Sequence, residues 1–327
     1  IFGGKTIATI KNIGVKLAEK PVNIKNNLPQ SQPKSVLFNE EQLKQFAQGS
    51  VSACLGSEFS IYDDRQCVRL PNGDFQLVSR VLDIKGKRHE LQKPAEIITE
   101  FDVKADAWFY QHNAYPTLPY CTYIEIAGQP CIFLGVYMGT TLLSPDDDLH
   151  FRNLDGQGTI LKEIDLRNKT ITDKVRLIST TAIKGAIIQK FEFELACEGE
   201  IFYQGNMVFG DFSTAVLANQ VGLDGGKRLK PWYKERELSN LKLTQIALKN
   251  PNWREKIYQI NPSKPHYHLS EKYLDFLDEV TIVEEGGNYQ QGYIYGTKLI
   301  SSNDWYFPFH FDRDPVMPGA LGIESII

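Results

Sequence analysis

The sequence predicts an α+β protein in which a long buried helix packs against an antiparallel sheet, with two such units in tandem. Three observations predict this class. The stretch from Tyr120 to Met138 is mostly apolar, has few breakers and is long enough for a buried helix. Segments that alternate apolar with polar residues lie on both sides of it, as strands do. A run of aromatic residues followed by a histidine occurs at Trp108 and again at Trp305, which indicates an internal repeat.

The elements of the first unit follow in order along the chain. Residues 1–37 are predicted to be a linker, because their second half is rich in Pro, Asn and Gln and has no apolar period. A short helix is predicted from Asn39 to Gly49, with Asn39 as its cap. Strands are predicted at Phe75–Ile84 and Glu96–Val103 before the long helix, and at 160–164, 174–180, 186–198 and 201–209 after it. One helix would therefore lie against one antiparallel sheet.

The repeat divides the chain into a first copy at residues 38–215, a connector at 216–265 and the start of a second copy at 266–327. The connector has mixed charges and several glycines that match no phosphate-loop spacing, so a turn role is predicted for them. The sequence stops where the second copy should begin its long helix, so this copy is expected to be truncated.

Composition limits the class of protein. The chain has 327 residues, of which 42% are hydrophobic and 23% charged. Taking about 150 residues per domain, this length predicts roughly two domains. The composition excludes a disordered, collagen-like or coiled-coil chain. A net charge of −4 without basic blocks argues against nucleic-acid binding. No apolar run approaches the ~20 residues of a membrane span.

Cysteine and histidine usage bears on compartment and metals. The five cysteines are an odd number with no CxxC pair, which favours a reducing, cytoplasmic location over a disulfide framework or zinc ribbon. His266 and His268 have no third ligand nearby in sequence, and Asp146–Asp148 is typical of a solvated turn. No metal site is therefore predicted.

The segment from Trp305 to Glu324, WYFPFHFDRDPVMPGALGIE, carries the most specific motif. His310 is followed by DPVMPG at Asp314–Gly319 and by a carboxylate at Glu324. This segment resembles the β-hydroxydecanoyl thioester dehydratase (FabA-like) family, whose subunits have the hotdog fold. The resemblance is close over residues 285–327, and it implies that the whole chain is a tandem hotdog.

The first copy resembles the same motif in a degenerate form. The run from Trp108 through His112 to Tyr120 has two residues fewer near the histidine, and Tyr120 replaces the motif glycine. Glu125 keeps the place of the carboxylate, and Gln129 follows it by four residues, as in the family. The arrangement is similar to the dehydratase region of polyunsaturated fatty acid synthases and heterocyst-glycolipid-type polyketide synthases.

The chemistry suits these residue types. A neutral imidazole can take the C2 proton of a 3-hydroxyacyl thioester, and a carboxylic acid with a raised pKa can protonate the departing hydroxyl. Backbone N–H groups at a helix N-terminus can stabilise the thioester oxygen. The resemblance implies that these donors lie at Gly319 and Ala320.

The resemblance also implies that each site combines a histidine of one unit with a carboxylate of the other. His310 would then face Glu125, and His112 would face Glu324. Because the loop around His310 is intact and that around His112 is shortened, we expect one working site, His310 with Glu125. Glu324 would be a vestige or a structural hydrogen-bonding group.

The resemblance implies reversible dehydration of a 3-hydroxyacyl chain to a trans-2-enoyl thioester, with or without isomerisation to cis-3. The implied partners are an acyl carrier protein, whose phosphopantetheine arm holds the substrate, and neighbouring synthase domains. A homodimer is left open, and proton transfer needs no cofactor. Two alternatives remain at this point. One is a hotdog thioesterase, against which the DPVMPG motif argues. The other is a non-catalytic pseudo-dehydratase that binds the carrier protein, for which Tyr120 and the shortened loop argue.

Overall fold

The structure is a computed structural model that describes residues 35–326, apart from 116, 222–224, 226, 228–229, 238–239 and 259–268. Nearly all of the predicted linker lies outside these residues, as do His266 and His268. The first copy contains a long helix and a six-stranded antiparallel sheet, as the sequence predicts. The α+β hotdog architecture is therefore confirmed.

The central helix of the first copy, α4, spans Tyr120–Tyr137. Its residues are apolar around most of the helix, which is typical of a helix buried on all sides. Three strands, β2, β4 and β5, lie against it, at Ala95–Val103, Lys169–Ile183 and Ala186–Cys197. Because these strands pack against α4, most of the helix lies in the main hydrophobic core.

The sheet has the strand order β1-β2-β4-β5-β6-β3, and all of its pairs are antiparallel. The remaining strands are β1 at Arg80–Lys85, β3 at Leu149–Ile160 and β6 at Glu200–Ser213. The predicted strand at 160–164 is wrong, because β3 ends at Ile160. No strand is predicted for residues 149–159, because Gly156 and Gly158 are typical of a turn. At Gly158, however, a side chain would collide with the Tyr203 ring of β6. Tertiary packing therefore requires glycine inside a strand here.

The first predicted strand is also shorter than expected. The chain before Arg80 forms a short 3-10 turn at Gly73–Phe75 and then an extended segment. Ahead of it, α1 at Glu40–Gln48 begins at Asn39, whose side chain forms a capping box with Gln42. This helix and its cap agree with the prediction.

The described part of the second copy forms a separate three-stranded sheet of order β7-β8-β9. These strands lie at Leu243–Ala247, Glu279–Val283 and Tyr293–Thr297. Strand β7 falls inside the segment predicted as a connector, and it pairs with β8 in the second sheet. The predicted domain boundaries stay a prediction, but strand pairing crosses the one drawn at residue 266.

A short helix, α7, at Gly319–Glu324, packs against α4. The other helices are α2, α3, α5 and α6, at Val51–Leu55, Trp108–Gln111, Thr214–Ala218 and Pro251–Tyr258. A second hydrophobic cluster joins the copies, since it contains Cys121 of α4 together with Leu274, Tyr306 and Leu321. In the part of the chain that the structure describes, no helix has the length and hydrophobicity to cross a bilayer.

Candidate active site

His310 is held in one tautomer by its own loop. Its Nδ1 lies 2.9 Å from the carbonyl oxygen of Val316, and a carbonyl can only accept, so Nδ1 donates. The lone pair of the neutral ring is then on Nε2. His310 is only 9% exposed. Burial disfavours the imidazolium and lowers the pKa to about 4, although the bond to Val316 opposes this. The ring is therefore a neutral base at pH 7.

The loop that carries His310 is fastened to the sheet of the first copy. Arg152 of β3 binds the Asp314 carboxylate through two hydrogen bonds of 2.7 and 2.9 Å, and His150 Nδ1 lies 3.0 Å from the same group. Burial raises the pKa of Asp314, but the bonds from His150 and Arg152 outweigh it and bring the pKa to about 2. The DPVMPG segment is thus anchored by a bidentate ion pair of defined geometry.

Glu125 lies on α4, one turn before Gln129. Burial disfavours its carboxylate and raises its pKa to about 8, while a hydrogen bond with Gln129 partly offsets the rise. Glu125 is therefore largely protonated at neutral pH. A carboxylic acid in this state can donate a proton, as the chemistry predicted for this position needs.

One short segment of the first copy contacts both His310 and Gln129, which follows Glu125 by one turn of α4. The Phe75 ring lies edge-to-face with the His310 ring, with centroids 5.7 Å apart. The Phe75 carbonyl accepts a bond of 2.8 Å from the Gln129 side chain, which also accepts from the Leu77 N–H at 2.7 Å. The loop that carries the predicted base and the helix that carries the predicted acid therefore both contact this segment.

Gly319, the first residue of α7, is exposed and has open space where a side chain would stand. A Cβ added to Gly319 would meet no atom within 4 Å. Ala320, the next residue, is buried in the cluster between the copies. At the corresponding place in the first copy, α4 begins with the full side chain of Tyr120. A substrate could therefore approach the backbone at Gly319 more closely than at Tyr120.

Glu324 lies near the N-terminus of α4. Its Oε2 accepts a hydrogen bond of 2.8 Å from the Cys121 backbone N–H. Burial raises its pKa, and the bonds from the start of α4 oppose the rise. A carboxylate at a helix N-terminus interacts favourably with the helix dipole. In this geometry Glu324 caps the N-terminus of α4, and its predicted role in the site stays a prediction.

His112 is buried, at 8% exposed, and its Nδ1 has no hydrogen-bond partner among the residues that the structure describes. Burial lowers its pKa, and the charge of Lys272 adds to this. Its backbone carbonyl accepts from the Glu271 N–H at 2.7 Å, just as the Phe309 carbonyl accepts from the Asn72 N–H at 2.9 Å. Both acceptors come four residues after the tryptophan of their copy, so His112 corresponds to Phe309.

Asn113 therefore corresponds to His310, since each comes five residues after its tryptophan. The side chains of Asn113 and His310 make equivalent hydrogen bonds. Asn113 Nδ2 donates at 3.0 Å to the carbonyl of Thr117, which precedes Pro119 by two residues, as Val316 precedes Pro318. Counting from the tryptophans would have identified Asn113 from the sequence; matching the histidines missed it. The predicted catalytic role of His112 stays a prediction that this geometry does not favour.

Aromatic rings fill the space between the two copies. Trp108 and Trp305, the two marks of the repeat, lie 5.4 Å apart, and Tyr273 stacks on Trp305 at 4.1 Å. Each tryptophan donates its indole N–H to a backbone carbonyl of its own copy, Trp108 to Asp74 and Trp305 to Tyr273. These paired contacts indicate an approximate twofold relation between the copies at the site.

Comparisons with known proteins find the family that the motif at His310 resembles. Residues 269–327 match the family model of the FabA-like domain. The chain is 32% identical over 294 residues to one subunit of the polyunsaturated fatty acid synthase of Thraustochytrium sp.. That alignment covers 87% of this chain and 20% of the relative, so the chain spans about a fifth of the relative's length.

Solved structures with some likeness include the dehydratase heterocomplex ApeI:P from Xenorhabdus doucetiae. It is 14% identical, with a TM-score of 0.35 over 46% of this chain and 95% of the other. A hypothetical thioesterase protein with coenzyme A from Streptococcus pneumoniae is 11% identical, with a TM-score of 0.26 over 40% and 87% of the two chains. At these scores neither likeness carries an argument about function.

The resemblance predicted from the HF-x2-DPVMPG motif is thus confirmed by two comparisons, one with a family and one with a single relative. The motif and the anchored His310 loop both lie within the matched residues. Residues 269–327 of this chain are similar to the FabA-like domain, and most of the chain is similar to part of a polyunsaturated fatty acid synthase subunit.

Proposed function

We propose that this chain dehydrates 3-hydroxyacyl thioesters to trans-2-enoyl thioesters within a fatty-acid or polyketide synthase. The observation that carries the proposal is the protonation state of two side chains, His310 and Glu125. His310 is neutral with its Nε2 lone pair free of the loop, and Glu125 is protonated because burial raises its pKa to about 8. Dehydration needs one base and one acid in these two states.

The proposed reaction balances with these two residues. His310 Nε2 takes the C2 proton, and the electrons of that C–H bond move toward the thioester carbonyl. Backbone N–H groups at Gly319 and Ala320 stabilise the negative charge on the oxygen. As the C2–C3 double bond forms, the C3–O bond breaks and Glu125 gives its proton to the leaving hydroxyl, which departs as water. Transfer of the proton from His310 back to Glu125 restores both groups.

The proposed substrate is carried on the phosphopantetheine arm of an acyl carrier protein, and the neighbouring synthase domains are further partners. The similarity to part of a much longer synthase chain supports this proposal. The open space where a Gly319 side chain would stand also leaves room for a thioester on a flexible arm. The chemistry itself is proton transfer, which side chains and backbone donors can perform.

A non-catalytic role has specific support only in the first copy. Asn113 stands at the position of His310, and an amide cannot act as a base near pH 7. Tyr120 stands at the position of Gly319. We therefore propose one working site, formed by His310 of the second copy and Glu125 of the first.

The test is product analysis with the protein as the cell makes it. The substrates are a 3-hydroxyacyl pantetheine thioester and the same acyl group on carrier protein, and products are separated by mass. An enoyl thioester with loss of 18 Da supports the proposal. Release of the free acid would instead indicate the thioesterase. If the folded wild-type protein converts neither substrate, the proposal is wrong and the scaffold alternative gains support.

A further inference from the structure

One turn of the first copy lies between the His310 loop and the Glu125 helix. Asn72 is 6% exposed and contacts two successive carbonyls just before His310. Its backbone N–H donates to Phe309 at 2.9 Å, and its side-chain Nδ2 donates to Pro308 at 3.2 Å. A single residue of the first copy thus holds the backbone that leads into the proposed base.

The turn and the loop also interlock sterically. Gly73 has a φ of +56°, a conformation that L side chains rarely adopt. A Cβ added there would lie 2.6 Å from Cε1 of the Phe309 ring. Phe309 therefore packs where any other residue at 73 would place its side chain, which fixes the loop against the turn.

The other end of the turn is fixed to the helix that carries Glu125. Gln129 binds the Phe75 carbonyl and the Leu77 N–H with bonds of 2.8 and 2.7 Å. Between these anchors the Phe75 ring contacts the His310 ring. The segment from Asn72 to Leu77 thus binds both the loop that carries the proposed base and the helix that carries the proposed acid.

The second copy supplies an internal comparison. Its corresponding turn residue is Glu271, whose backbone N–H donates to the His112 carbonyl at 2.7 Å. The backbone bond therefore exists on both sides of the approximate twofold axis. At the turn that faces His310, the Asn72 side chain also donates to the preceding carbonyl. At the other turn, the Ser270 hydroxyl instead accepts from the Ala114 N–H at 3.2 Å.

We infer that Asn72 is a positioning residue, which sets the place of His310 relative to Glu125 through its side-chain amide. This inference rests on the proposed function for its kinetic consequence only. Because active sites tolerate little misplacement of a proton acceptor, loss of the Nδ2–H donor should slow the proton transfer without weakening substrate binding.

The test removes the Nδ2–H donor in two ways, one that keeps the shape of the side chain and one that does not add charge. Asn72→Asp puts an acceptor against the Pro308 carbonyl, and Asn72→Ala removes the group without adding charge. Asn113→Asp is the matched control, since it makes the same change against the Thr117 carbonyl in the first copy. The first readout is the rate at which diethyl pyrocarbonate acylates His310, followed by peptide mass. The second is kcat and KM with a 3-hydroxyacyl pantetheine thioester.

Diethyl pyrocarbonate should acylate His310 about tenfold faster in both Asn72 variants than in the wild type. Both variants should also lose about tenfold in kcat, which corresponds to ~1.4 kcal/mol, with KM within about twofold. Asn113→Asp should match the wild type in both readouts. If Asn72→Asp and Asn72→Ala leave both readouts unchanged, the inference is wrong. If the wild type has no turnover, the proposed function fails, and the acylation rates alone still decide whether Asn72 positions His310.

Discussion

The two loops that follow Trp108 and Trp305 resemble one motif and differ in three ways. The second-copy loop has a histidine bound to a carbonyl, and the first-copy loop has Asn113 bound to the equivalent carbonyl. The second is followed by Gly319 and the first by Tyr120. The second is anchored by a buried carboxylate, Asp314, which is 6% exposed.

These differences show that the hydrogen-bond framework of a site can outlast its chemistry. In each copy a side chain still binds the carbonyl two residues before the proline, and a turn still binds the loop backbone. Only an imidazole, however, leaves a basic nitrogen after making that bond. The degenerate copy therefore keeps its structure and, in the proposed site, contributes its carboxylate to the other copy.

The largest predicted effect separates the two histidines. His310→Ala should lower kcat/KM for dehydration about a thousandfold, because it removes the general base. His112→Ala should retain turnover within about threefold, because His112 corresponds to Phe309. Steady-state kinetics on folded protein check this. A large loss with His112→Ala alone would reverse the roles assigned to the two loops.

The two carboxylates, Glu125 and Glu324, should also differ in their effect on turnover. Glu125→Gln removes the acid and should lower kcat about a hundredfold while the fold is kept. Glu324→Gln can still accept from the Cys121 N–H and should stay within about threefold. The measurement is kcat, with circular dichroism as the control for folding. If Glu324→Gln is the inactive variant, the pairing of the copies is the reverse of ours.

The loop anchors should differ in stability. Asp314→Ala leaves Arg152 without its buried partner and should destabilise the protein by about 2 kcal/mol. Counting back from the prolines, Tyr115 has the position of Asp314 in the first copy, and it is 58% exposed. Tyr115→Ala should change the free energy of unfolding by at most about 0.5 kcal/mol. Denaturant titration of both variants checks the difference, and equal effects would contradict it.

The pH dependence should report the working pair. Turnover needs neutral His310, with a pKa of about 4, and protonated Glu125, with a pKa of about 8. kcat/KM should therefore be highest between these values. On the acid limb, below the pKa of about 4, kcat/KM should fall about tenfold per pH unit as His310 gains a proton. On the basic limb, above the pKa of about 8, it should fall equally steeply as Glu125 loses its proton. In Glu324→Gln the basic limb should stay near 8; its disappearance would assign that limb to Glu324.

Much of the fold could be predicted from local patterns. The helix at Tyr120–Met138 and the strands around it follow from continuous and alternating apolar runs, and the structure has them within a few residues. Strand β3 was missed because its glycines are typical of turns. Gly158 is needed inside the strand because the Tyr203 ring of β6 lies against it, and no pattern within β3 reports the side chains of its partner strand.

The motif, the repeat and the residue types of the candidate site can be identified from the amino-acid sequence alone, because a histidine, a glycine and a carboxylate at fixed spacing carry their chemistry locally. Which residues correspond between the copies, and what holds them, depends on the folded protein. Asn72, Arg152 and Phe75 reach the His310 loop from the other copy. Contacts between residues so far apart in sequence depend on how the two copies pack, which spacing along the chain does not record.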